Sequence, residues 1–110
     1  MNLQITCRGI EHTKELDTHI RKQLHKVEAF VDKHRDPHTI LVVIEGHPSH
    51  AHNSVTCRVH VANYEAYGSR EGQNIYALID EVMDIVYGEL RKNKEWQVDH
   101  QKNKNGHRPG

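Results

Sequence analysis

Three groups of side chains have the type and spacing to do chemistry. The first is a set of histidines: His47, His50 and His52 fall within six residues of GHPSHAH, with His34 and His38 before them and His60 after. Neutral imidazole suits zinc, copper and nickel, so this loop is a candidate metal binder. No HExxH or CxxC spacing supports it, and a solvent-exposed histidine-rich loop accounts for the same residues, so no metal or other cofactor is expected. The second group is cationic, with Arg21, Lys22, His25 and Lys26 close together and Arg91, Lys92 and Lys94 clustered far along the chain. Cations grouped in this way neutralise phosphates, and folded RNA is held largely by such salt-dependent contacts and recognised by shape. The ordinary alternative is a solvated helix face, with Asp17, Glu28 and Asp32 near enough to pair with the lysines. The third is Cys57 with His60, a nucleophile and a base by type. An alternating strand sends residues three apart to opposite faces, so Cys57 reads as a core thiol. There is also no nucleophile elbow and no phosphate-cradling glycine loop, so no enzymatic activity is expected.

The elements that position these groups follow from the spacing of apolar residues. Segment 71–96, EGQNIYALIDEVMDIVYGELRKNKEW, carries Ile75, Ile79, Val82, Val86 and Leu90 at steps of three and four, the period of one helical face. Gly72 and Asn74 stand where a turn and an N-cap belong, and Arg91, Lys92 and Lys94 suit the negative pole at its end. An earlier helix opens at Thr13 and repeats Leu16, Ile20, Leu24, Val27 and Val31, which turns Arg21, Lys22, His25 and Lys26 outward. It ends before Pro37, where Asp36 and Pro37 make a turn.

Segment 2–6 alternates, with Leu3 and Ile5 on one face, and 39–45 holds the β-branched run ILVVI, ended by Gly46 and Pro48. Segment 54–62 sends Val55, Cys57, Val59 and Val61 inward and Thr56, Arg58 and His60 outward. Asn63 and Tyr64 then turn the chain into a shorter strand at 65–69. The order β-α-β-β-β-α predicts an α+β fold, a four-stranded sheet with two helices packed on one face and the other face open.

A chain of 110 residues suits one domain, here 1–96, followed at 97–110 by a polar tail with little to bury, which reads as disordered. Fifteen basic residues balance fifteen acidic ones, so the total charge points to no partner, nucleic acid or membrane. Its distribution does: 36–89 holds eight acidic and two basic residues, and 91–110 holds six basic and two acidic. Cys7 and Cys57 lack the paired spacing of a zinc module, and no apolar run reaches the length of a membrane span. A soluble, cytoplasmic protein with two buried thiols is the expectation.

The stretch EGQNIYALIDEVMDIVYGELRKNK resembles the second helix of the short ribosome hibernation factors, the family of ribosome-associated inhibitor, hibernation-promoting factor and ribosomal subunit interface protein. There an EG-x-(D/N)-(M/I)-Y entry leads to a basic helix end. NLQIT, the helix opening at Thr13, and the turn Asp36-Pro37-His38 ahead of a hydrophobic strand agree, so the resemblance covers 1–95. It implies a protein that binds the small ribosomal subunit and its rRNA in the channel used by messenger and transfer RNA. Translation would be blocked sterically during stress or stationary phase, by a monomer off the ribosome. By position it implies that Arg21, Lys22 and Lys26, with His25 beside them, and Arg91, Lys92 and Lys94 face RNA. Members carry further Lys or Arg along the outer side of the second helix, where this chain has Asp84, Tyr87 and Gly88. The length leaves no room for the second folded domain through which long factors pair ribosomes, and Lys102, Lys104 and Arg108 in the tail are placed to follow an RNA groove. A histidine-based metal binder and a general binder of structured RNA are the two other readings.

Overall fold

Alternating burial along the middle of the chain builds one sheet from β1 (Asn2–Arg8), β2 (Thr39–His47), β3 (His52–Val61) and β4 (Tyr64–Gly72), in that spatial order. The computed structural model describes residues 2–33, 38–47, 49, 51–61 and 64–105, with side chains as far as residue 93. β1 and β2 pair in parallel from Asn2 opposite Thr39 to Arg8 opposite Glu45, and the crossover between them is helix α1 (Lys14–Asp32). The β2–β3 and β3–β4 pairs are antiparallel, and α2 (Ile75–Asn105) follows β4. This is the expected α+β order.

Both helices lie on one face. Leu16, Ile20, Leu24, Val27 and Val31 of α1 and Leu78, Ile79, Val82, Met83, Val86 and Leu90 of α2 share one buried cluster with seven sheet residues, among them Val42, Val55, Cys57 and Ala66. Leu78 and Met83 widen the α2 stripe beyond the five positions read from its period. The register sets Val42, Cys57 and Gly68 in one row under the helices, and Leu41, Arg58 and Tyr67 in the neighbouring row on the opposite face. Both caps are where the sequence puts them. The Thr13 hydroxyl accepts from the Leu16 N–H at 3.1 Å, and the Asn74 side-chain oxygen accepts from the Ala77 N–H at 3.3 Å.

The boundaries differ in several places. Gly46 does not end β2 but sits inside it opposite Asn53, and β2 continues to His47. Tyr64 is not a turn residue but the first of β4, opposite Val61; Asn63 lies outside the described residues, as do Asp36 and Pro37. β4 runs on to Gly72 through Gly68, which is a contact rather than a break. A Cβ there would come within 3.0 Å of the Val82 carbonyl oxygen, so the missing side chain lets the α2 backbone lie against the strand. Finally, α2 continues past Trp96 to Asn105, into the segment expected to be a tail. That stretch has no Gly or Pro before Gly106, and its lysines and glutamines are good helix formers that keep the hydrogen-bond ladder going. Among the described residues no helix is long and apolar enough to cross a membrane.

Candidate nucleic-acid interface

Apolar stripes of α1 and α2 are committed to the sheet, so their polar flanks meet along a seam on the outside of the helix layer. Contacts across it advance together along both chains, from His19 with Tyr76 and Asp80 to Lys26 with Asp84 and Tyr87, and then Phe30 with Tyr87. The helices therefore run in parallel. His19 Nε2 lies 2.7 Å from Asp80 Oδ1, and its ring meets Tyr76 edge to face at 4.9 Å between centroids. One turn and more further on, the Lys26 ammonium bonds the Asp84 carboxylate.

One cation from each cationic group of the sequence meets the Tyr87 ring. Lys26 Nζ lies 5.6 Å from the centre of that ring and the Arg91 guanidinium 5.8 Å from it, while Phe30 braces the ring edge to face. Lys22, His25 and Lys92 are exposed or partly so and hold no ion pair among the described residues. Arg21 stands apart, donating from Nε to Asp17 Oδ2 at 2.8 Å. That bond, with a second from His12, holds the Asp17 carboxyl below the usual carboxylate range. Lys94 continues α2, and its side chain lies outside the described residues.

Sequence reasoning placed Asp17, Glu28 and Asp32 beside the lysines and read Asp84 as a departure from a basic outer side of the second helix. The structure instead pairs Lys26 with Asp84, 58 residues away, so the acid in the middle of α2 is part of the clasp between the helices. Lys14 and Tyr76 also belong to this surface and were not among the expected residues. Their signal is slight: Lys14 is the first helical residue after its cap, and Tyr76 directly follows a residue of the apolar stripe.

The other candidates take different places. His47 and His52 face each other across the β2–β3 hairpin with rings 6.3 Å apart, and His52 bonds Glu71 at 2.9 Å. His50 lies outside the described residues, and among those described no three metal-ligating side chains come together. Cys57 is buried, which pushes its thiol up to about 12, while His60 is exposed on the opposite face. Cys7, the other thiol expected to be buried, is only partly so.

The chain is a β-α-β-β-β-α sheet domain whose two parallel helices meet along a seam that brings Lys26 and Arg91 to Tyr87. Residues 3–97 match the family described as sigma 54 modulation protein / S30EA ribosomal protein, and the chain belongs to that family. It is 31% identical over 96 residues to the ribosome hibernation promoting factor of Escherichia coli strain K12, a match spanning 86% of this chain and 95% of that protein. The factor of the same name from Salmonella typhimurium is 27% identical over 95 residues, with the same coverage. Two solved structures share the fold. The N-terminal domain of Protein Y from Thermus thermophilus has a TM-score of 0.68 at 17% identity, covering 84% of this chain and 99% of that one. A ribosomal subunit interface protein from Coxiella burnetii has a TM-score of 0.72 at 20% identity, covering 86% and 99%.

Proposed function

We propose that this protein is a ribosome hibernation factor, a non-enzymatic translation inhibitor that binds the small ribosomal subunit through its rRNA. It occupies the channel of messenger and transfer RNA, blocks translation by that occupancy during stress or stationary phase, and is a cytoplasmic monomer until it meets the ribosome. Family membership supports this reading, as does a relative named for hibernation that aligns over 95% of its length. The observation that carries it is the meeting of Lys26 and Arg91 at Tyr87, which joins cations remote in sequence into one surface. Lys22 and Lys92 extend that surface with charges available to phosphate, so binding must weaken as salt rises.

Sedimentation of the purified protein with ribosomes through a sucrose gradient, at low and high salt, tests this. The protein is expected with small subunits and intact ribosomes at low salt and to be lost from both at high salt. The triple variant Arg91→Glu, Lys92→Glu, Lys94→Glu should lose association and keep the wild-type melting temperature. Absence from every ribosomal fraction at low salt overturns the function. Equal affinity for the small subunit and for any RNA duplex would instead make the protein a general binder of structured RNA.

A further inference from the structure

At the end of the seam opposite Tyr87, the first half of α1 and Tyr76 of α2 border an open cleft lined by Lys14, Glu15, Thr18, His19, Lys22 and Tyr76. Tyr76 is one of two large apolar side chains strongly exposed among the described residues, at 41%. It meets His19 edge to face and keeps part of its ring exposed, where a base can stack. His19 is itself fixed by Asp80, which holds the tyrosine's neighbour in place.

The electrostatics of the cleft favour an anion. Lys14 and Lys22 hold no ion pair among the described residues, and both line it. Because the helices run in parallel, both positive poles point to this end. α2 has no acidic residue in its first turn, and of the two in α1, Asp17 is engaged by Arg21 and His12. Glu15 remains as an acceptor and Thr18 as a hydroxyl, the kind of groups that bond the edge of a base. An exposed aromatic ring beside two cations and hydrogen-bonding groups matches a nucleotide better than a bare phosphate or an acidic side chain.

We propose that this cleft is a subsite for one unpaired nucleotide of an RNA strand, its base stacked on Tyr76 and its phosphate held by Lys14 and Lys22. A base within a duplex has no free face to offer, so the subsite selects a residue splayed out of a loop, bulge or strand end. The proposal rests on the reading that the helix seam faces RNA.

The test uses the full chain and a labelled single strand of oligoadenylate, followed by fluorescence anisotropy. Tyr76→Ala should weaken binding roughly 5- to 150-fold, the usual range for loss of one stacked base, and Tyr76→Phe should bind as the wild type does. An abasic strand of equal length should bind the wild type as weakly as oligoadenylate binds Tyr76→Ala. Free AMP should displace the strand poorly. Equal binding by wild type and Tyr76→Ala, or by base-bearing and abasic strands, overturns the subsite; AMP displacing as well as the strand does overturns its assignment to RNA. Sedimentation of Tyr76→Ala and wild type with ribosomes separates the two levels. Wild-type association without any effect of Tyr76 on the strand leaves the function standing and the subsite refuted, whereas a Tyr76-dependent strand without ribosome association does the reverse.

Discussion

A Cβ built at Gly88 meets nothing within 4 Å, whereas one at Gly9 would lie 2.2 Å from the carbonyl oxygen of Gly46, at a φ of +69°. The first glycine is an exposed helix position with only an entropic cost; the second is required by close approach and by a left-handed backbone. Gly88→Ala should therefore raise stability by about 0.5–1 kcal/mol, and Gly9→Ala should lower it by about 1–3 kcal/mol, both read from thermal melts. At this scale the sequence was legible wherever the rule is local. Thr13 and Asn74 cap their helices because a side-chain oxygen needs only a backbone N–H a few residues on. The partner of Asp84 was not legible, because Lys26 is brought to it by the packing of two helices and by nothing within α2.

Helix faces and strand alternation were visible for the same reason that caps were: period follows from burial, and burial is written into residue type. The parallel setting of the helices was not visible, nor was the extension of α2 to Asn105, since a polar stretch signals neither a helix nor its end by period. The Lys26–Asp84 clasp belongs to this scale, and it sets two effects against each other. Asp84 is largely exposed, so Asp84→Asn should cost the domain less than about 1 kcal/mol. Freed from its carboxylate, Lys26 becomes available to phosphate, so the variant should bind ribosomes more tightly and with a steeper dependence on salt, by about one unit in the logarithmic slope. Titration of ribosome affinity against salt measures both.

A net charge of zero hides a molecule with two different sides. The helix seam holds the unpaired lysines, while on the open face of the sheet Arg8 meets Glu45, and Arg58 and His60 share Glu65, so charge there is largely consumed. Only the fold could show that α1 and the first half of α2 lie together. The core is also confined: Leu90 is its last buried residue among those described. A chain ending at Trp96 should thus melt within about 0.5 kcal/mol of the full protein, and differential calorimetry of the two would decide it. The cover of the sheet comes last in the chain. α2 supplies Leu78, Ile79, Val82, Met83, Val86 and Leu90 to a core whose other members precede it, and no strand can shield its apolar face until that helix has been made. During synthesis all four strands are translated ahead of it, so the native surface, with a seam drawn from both helices, forms only after α2 has been translated as far as Leu90.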